Sequence, residues 1–499
     1  LADDRRAALL ADIGVGTVDQ ALLGVLPSRF SAVRLFALSE KVLVLDEVHA
    51  FDAYMSTEVK QLLRFHSALG GSAVLLSATL PEKKRRELEI AWRADDPDIE
   101  LPPPQPGDSP YPMTTLAVNG GAASTYAAHA SEPRSIRRLP VRMIHTEEDG
   151  VLHVVRVANA GGAVVWIRNT VDECVRTAAL LATHGFGPIV FHARFPQGDR
   201  QRIEAEVTRR FGLGSTESMR RGSVLVATQV VEQSLDLDFD AMVSDLAPID
   251  LLIQRAGRLW RHQRSDRPLD VCELLVLAPH ADVDVSKEWP NELLRNSGYV
   301  YPDPGVLWRT AVALGREQVL DAPHGLRALI REVYEGHTVP PALTRRESTA
   351  QGNELSDAGV ADYTVVGLGR YVVGRHWTDD LRAPTRLGDE QVALRLARVE
   401  GNQLQPWHRD PDLPEWHRWL LSEVKVSRRR VSSDATPVGP WKADIERLRS
   451  TWGRFEQHTP VVVMEPDVTG DWSGVVESAK RKGQELRLRC SEVLGVSFF

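Results

Sequence analysis

Short, continuous apolar runs recur along this chain at the length of a β-strand, and each closes on a polar cluster. Val42-Leu43-Val44-Leu45, within the run Lys41–Leu45, ends in Asp46-Glu47, and Ala73–Leu76 ends at Ser77. Unbroken apolar runs of this length suit strands buried on both faces of a parallel sheet. A longer series follows between about 140 and 278. Strands are expected at Ala163–Ile167, Pro188–Phe191, Ser223–Ala227, Ala241–Ser244 and Val271–Ala278, with helices at Val171–Thr183, Asp199–Phe211 and Ile249–Arg261. Repeated β-α units imply doubly wound parallel sheets. The fold class is therefore α/β, with two sheets in tandem, the first short of strands at its N-terminal side.

The division expected is a first lobe with its connector over 1–135, a second lobe over 136–285, a linker carrying a helix near Gly325–Tyr334 over 286–360, and an accessory domain over 361–499. Residues 101–112 are proline-rich and read as connector. In the last region Gln391–Val399 alternates, with Val392, Leu394 and Leu396 on one face and Arg395 and Arg398 between them, as in a half-buried strand.

Bulk properties narrow the class. A chain of 499 residues allows about three domains. No apolar run approaches the ~20 residues of a membrane-spanning helix, and no signal peptide opens the sequence. Cys174, Cys272 and Cys490 are far apart, which argues against a disulfide framework or a cysteine zinc site and fits a reducing cytoplasm. The net charge of −8 means that any nucleic-acid site must be a local basic channel.

Asp46-Glu47-Val48-His49 sits at a strand's carboxyl end, where ligands bind in open α/β sheets. Two adjacent acids there suit nucleoside-triphosphate hydrolysis, Asp46 holding Mg²⁺ and Glu47 polarising the attacking water. Ser77-Ala78-Thr79 closes the next strand, and its two hydroxyls, on Ser77 and Thr79, can relay hydrogen bonds between the acids and a bound strand. In Gln254–Arg261, at about 100° per residue, Gln254, Arg258 and Arg261 fall within an arc of roughly 60°. Ile249, Leu252, Ala256, Leu259 and Trp260 cover the opposite side. Arg258 and Arg261 can then act as arginine fingers on a γ-phosphate, while Arg255 lies off the arc and could pair with an acid. Thr228–Asp236 follows a buried strand, and Asp236 is the candidate for a ribose or coupling role. Gly16 and Thr17, Asn169, Arg194, Thr228 and Gln229 are candidate grips on a nucleic-acid backbone, since glycine lets amides approach phosphates and Arg194 supplies charge. Asn169 or Thr170 can equally cap the following helix.

Taken in order, GTVDQ, DEVH, SAT, RNT, HARF, TQVVEQSLD and QRAGRLWR resemble the motifs of superfamily 2 helicases. DEVHAFD (46–52), VGTVDQALL (15–23), VEQSLDLDFD (231–240) and TRLGDEQVALRLAR (385–398) are similar to the CRISPR-associated helicase–nuclease family of type I systems. The resemblance implies two RecA-like lobes with a C-terminal domain over the strand channel. It implies an ATP- and Mg²⁺-dependent, 3′-to-5′ translocase on single-stranded DNA, recruited by the guide-RNA surveillance (Cascade) complex to degrade invading DNA. It assigns Asp46, Glu47, His49, Gln254, Arg258 and Arg261 to hydrolysis, and Ser77, Thr79 and Asp236 to coupling. Another superfamily 2 RNA or DNA helicase, or a nucleic-acid-binding fragment without ATPase activity, are the rival readings. The 499 residues contain neither GxxxxGK[ST] nor a His-Asp dipeptide, and they begin with Leu1. The expectation is a C-terminal portion of such a protein, without the phosphate loop and the His-Asp nuclease domain, and with little ATPase alone.

Overall fold

A computed structural model describes residues 8–93, 112–118, 124–127, 136–232, 235–281, 284–368, 385, 391–431, 440–453, 456–466, 471–479 and 484–498. Most of the proline-rich connector, Gln233-Ser234 and residues 386–390 lie outside these.

In the first lobe, strands β1 (Val42–Leu45) and β2 (Ser72–Leu75) pair in parallel. Helices Ser31–Ser39, Ala53–Ala68 and Glu82–Arg93 accompany them, and Asp52 caps the second by accepting from Met55 N. Leu43 and Leu45 join Val59, Leu62 and Leu63 in the core. Burial on both faces, as expected from the apolar runs, does not hold here. Val42, Val44 and Val74 are 61%, 56% and 43% exposed, because the described helices cover only one face of the pair. Strands β3 (Met113–Leu116) and β4 (Ser124–Ala127) form an antiparallel pair beyond it.

The second lobe is a seven-stranded sheet. Its strands are β5 (Arg137–Ile144), β6 (Val164–Ile167), β7 (Ile189–Phe191), β8 (Val224–Ala227), β9 (Ala241–Asp245), β10 (Leu274–Leu277) and β11 (Val319–Ala322). They lie in the order β11-β5-β10-β9-β6-β8-β7. All pairings are parallel except that of β11 at the edge. β6, β8, β9 and β10 are buried at every position, which is why they read as unbroken apolar runs. The helices between them run Glu147–Asn159, Val171–Thr183 and Gln197–Phe211, and Thr170 caps the second through Glu173 N.

One helix departs from expectation. The segment read as helical over Ile249–Arg261 is helical only over Ile249–Ala256. The Arg137 guanidinium donates to Ala256 O at 2.5 Å and Leu259 O at 2.6 Å. Beyond that point the chain turns to pair with Phe239, whose N donates to Arg258 O, while Trp260 N donates to Phe239 O. Trp260 takes a left-handed φ of 46°. The arc argument for Arg258 and Arg261 therefore does not apply, since neither residue is on the helix.

The stretch expected as a linker is well structured. It supplies β11 and helices Pro304–Glu317, Leu326–Glu335 and Pro341–Thr364. The last packs along Ala53–Ala68 of the first lobe, where Gln61 Nε2 also donates to Val366 O.

The C-terminal region holds β12 (Gln391–Glu400), β13 (Gln403–Pro406), β14 (Glu423–Ser427), β15 (Val461–Pro466), β16 (Trp472–Glu477), β17 (Glu485–Ser491) and β18 (Gly495–Phe498). The order is β13-β12-β15-β16-β17-β18, with β14 also on β12. β12 is not half-buried. Arg395 and Arg398 are 3% and 4% exposed. Arg395 pairs with Glu423 and Glu456 beneath the Trp452 ring, and Arg398 donates to Pro406 O and Trp407 O. Trp407 Nε1 donates to Asp199 and Val496 N to Arg194 O, fixing this domain to the second lobe. Among the described residues no helix is long and apolar enough to cross a membrane, and all three cysteines are free.

Candidate functional site

β1 delivers Asp46 and Glu47 at its carboxyl end, and β2 delivers Ser77 beside them. Glu47 adopts a left-handed φ of 54°, turning the chain into the short 3-10 turn that carries His49. Asp46 is exposed, and its Oδ1 accepts from Glu47 N at 2.9 Å. His49 is 7% exposed, and its Nδ1 lies 3.0 Å from Ser77 Oγ and 3.3 Å from Glu47 Oε2. On its other side, His49 Nε2 lies 2.6 Å from Gln254 Nε2 on the helix Ile249–Ala256 of the second lobe. One proton arrangement satisfies the whole string. The Gln254 amide donates to Nε2, Nδ1–H donates to Ser77 Oγ, and Ser77 donates to Thr79 O. The Thr79 hydroxyl is buried and meets no hydrogen-bond partner among the described residues.

Arg258 lies across this junction. It donates to Glu232 O at 2.8 Å. Burial pulls its pKa down, and the neighbouring Arg261 adds to this, while Asp236, Glu47 and Glu232 oppose it. Arg261 instead pairs with Asp236, Nε to Oδ1 at 2.5 Å, and both side chains are about half exposed. Burial raises the Asp236 carboxyl, but the His262 hydrogen bond and the Arg261 charge outweigh it, so it lies below the ordinary range. Arg255 is fully buried and pairs with Glu232, as its position off the arc allowed.

The candidate strand grips fall into two kinds. Gly16 and Thr17 are exposed ahead of the short helix Val18–Leu22, and none of the described residues comes within 4 Å of a Cβ built on Gly16. The others sit at the carboxyl ends of β6, β7 and β8, in engaged positions. Asn169 is 2% exposed and donates to Leu246 O and Ser297 Oγ. Thr228 is 4% exposed, Gln229 Nε2 donates to Asn169 O, and Arg194 pairs with Asp172 at 2.5 Å.

Several residues of this region escaped sequence reasoning. Asp238, fully buried, accepts from Arg261 N, Arg264 and Arg267, and it holds the segment after the helix in place. Burial raises its pKa, but these arginine hydrogen bonds bring it below the usual range. The acidic periodicity of LDLDFD carried that signal. Tyr301 and Arg137 carried none, since each lies far along the chain from the groups it contacts.

Comparisons with known proteins bear on the fold that carries this site. The C-terminal family of the CRISPR-associated nuclease/helicase Cas3 matches residues 160–264. The CRISPR-associated endonuclease/helicase Cas3 of Thermus thermophilus is 37% identical over 503 residues, covering 85% of this chain and 52% of that relative. The crystal structure of T. fusca Cas3-ATP superposes with a TM-score of 0.78 at 27% identity, over 99% of this chain and 58% of that one. A chain of a CRISPR RNA-guided surveillance complex, pre-nicking, superposes at 0.74 with 26% identity, over 99% of this chain and 61% of that one. The chain spans about half the length of the first of these relatives. Its two mostly parallel sheets are the RecA-like lobes of that fold, and the chain belongs to the CRISPR-associated Cas3 helicases.

Proposed function

We propose that this chain is the motor of an ATP-driven, 3′-to-5′ single-stranded DNA translocase that works with a nuclease on DNA marked by a guide-RNA surveillance complex, in a reducing cytoplasm. One observation carries the reading: the string Ser77–His49–Gln254 joins the acid-bearing strand ends of the first lobe to the arginine-bearing segment of the second. In this reading the chain binds ATP, as the T. fusca Cas3-ATP neighbour suggests, and the nucleotide lies between the lobes. Glu47 orients the attacking water, and His49 and Gln254 sense its position. Arg258 reaches the phosphates directly, and Arg261 does so once it exchanges Asp236 for phosphate. Ser77, Thr79 and Asp236 couple this cleft to the strand.

The donor set at Asp46 fits Mg²⁺. The carboxylate is exposed, and among the described residues no group of three or more His, Cys, Asp or Glu forms a dedicated cage. Magnesium keeps several waters and takes one or two carboxylates together with substrate phosphates. It would neutralise charge on the transferring phosphoryl group.

Gly16 and Thr17, at open positions, offer backbone amides to the DNA. Arg194, Thr228 and Gln229 line the carboxyl edge of the second sheet, and the buried Asn169 acts by fixing Gln229. Contacts of this kind are largely sequence-independent. The divisions 1–135, 136–285, 286–360 and 361–499 then correspond to first lobe, second lobe, connecting helices and strand-covering domain.

Glu47→Gln tests the reading in the complete polypeptide of the gene. Phosphate release stimulated by single-stranded DNA should fall at least about a hundredfold, with ATP affinity held within a few-fold. Release at the parental rate would remove Glu47 from the chemistry. Stimulation by RNA in place of DNA would move the chain among the RNA helicases.

A further inference from the structure

Tyr301 lies in the stretch that sequence reasoning treated as a linker, yet its hydroxyl sits where two parts of the site meet. The phenol oxygen accepts from Gln229 Nε2 at 3.3 Å and from Arg255 Nη2 at 3.1 Å. Gln229 follows β8 among the candidate DNA contacts, and its amide nitrogen also donates to Asn169 O at 3.0 Å. Arg255 belongs to the helix Ile249–Ala256 that carries Gln254, and it is locked to Glu232, whose carbonyl holds Arg258. The short helix Ser297–Val300 just before Tyr301 is itself tied in, because Asn169 Nδ2 donates to Ser297 Oγ and Tyr301 N donates to Ser297 O.

Burial pushes the phenol up to about 12, and the Arg255 charge opposes this. The hydroxyl therefore stays neutral and keeps both acceptor contacts at any physiological pH. Polar groups buried together in this way constrain one another, since leaving one unpaired costs about 1–3 kcal/mol.

We propose that Tyr301 is a positioning residue that couples strand binding to nucleotide hydrolysis, through its shared hydrogen bonds to Gln229 and Arg255. In this role it acts through Gln229 and Arg255 rather than on either ligand. A strand that shifts Gln229 must move or break the bond to the phenol, and the phenol is bonded in turn to the helix bearing Gln254. The route runs Gln229, Tyr301, Arg255, Gln254, His49, from the strand side of the second lobe to the acid pair of the first. This inference rests on the function proposed above.

Tyr301→Phe removes the hydroxyl and keeps the ring. The test compares phosphate release with and without single-stranded DNA, in the complete polypeptide, for parent and variant. The unstimulated rate should stay near the parental value and the melting temperature should fall by no more than a few degrees, while the ratio of stimulated to unstimulated rate falls about tenfold. The effect of a non-hydrolysable ATP analogue on DNA affinity should weaken by a comparable factor, because coupling between two binding sites is reciprocal. A purely structural role would lower both rates together and would not move the ratio. A variant whose ratio and analogue effect match the parent overturns the inference. A parent that shows no DNA stimulation overturns the proposed function, and this inference with it.

Discussion

Glu58 lies fully buried in the helix Ala53–Ala68, and neither of its carboxylate oxygens meets a hydrogen-bond partner among the described residues. Burial raises its pKa to about 9, and the charges of Asp52 and Asp19 push the same way. In the unfolded chain the value returns to about 4.3. Between those values the native protein keeps a proton that the unfolded chain releases. The side chain's contribution to stability is thus complete below about pH 4.3, declines as pH rises, and is gone above about 9. Glu58→Gln replaces the protonated carboxyl with a neutral group of the same shape. At pH 8 the variant should be more stable than the parent by on the order of a few kcal/mol, since each unit of raised pKa is worth about 1.4 kcal/mol, and the advantage should shrink toward pH 5. Urea midpoints across that range provide the measurement, and parallel curves for the two proteins would refute the account.

At the scale of elements, Gly150 and Trp166 show how tightly the second lobe is closed. Gly150 is buried in the helix Glu147–Asn159, and a Cβ there would lie 2.4 Å from Cη2 of the fully buried Trp166. Alanine favours a helix interior by about 1 kcal/mol over glycine, but overpacking a closed core costs about 1–3 kcal/mol. The indole has no solvent to swing into, so the packing cost should prevail. Gly150→Ala is expected to lower the denaturation midpoint, and an unchanged or raised midpoint would show that the ring can yield. Elements of this lobe were legible in the sequence because β6, β8, β9 and β10 are covered on both sides, so apolar runs mark them directly. The strand end at Thr228 was legible for the same reason, whereas those at Asp46 and Ser77 follow apolar runs that are covered on one face only. What escaped notice depends on distant partners. The helix Ile249–Ala256 stops where Arg137 takes its carbonyls, and periodicity has no access to a residue 119 positions away. Arg395 and Arg398 looked solvent-facing because a charged side chain in an alternating pattern gives no hint of Glu423, Glu456 or the Trp407 carbonyl.

Across the whole molecule, the C-terminal domain is seated on the second lobe by the turn between β17 and β18. Gly495 has φ +70°, and a Cβ on it would stand 2.6 Å from Arg194 O and 2.8 Å from His192 Cε1. His192 is itself buried, which lowers its pKa to about 4, so its neutral ring can accept the close approach of this turn. Gly495→Ala should loosen the seat without unfolding either part. Hydrogen exchange at the Val496 amide, bonded to Arg194 O, should accelerate at least about tenfold, while exchange in β6 and β9 stays unchanged. Equal protection in parent and variant would show that the turn tolerates the methyl group. The two lobes, by contrast, meet unequally. The helix Pro341–Thr364 lies along Ala53–Ala68 over much of its length and Arg327 pairs with Glu82 at 3.4 Å, whereas among the described residues the strand ends are bridged at His49 and Gln254 by one short hydrogen bond. A bond of that kind is worth only about 0.5–1.5 kcal/mol net, which is one to three times the thermal energy. The long helical seam therefore joins the lobes independently of the imidazole–amide contact, whose loss would cost only energy of that order and leave both folds standing.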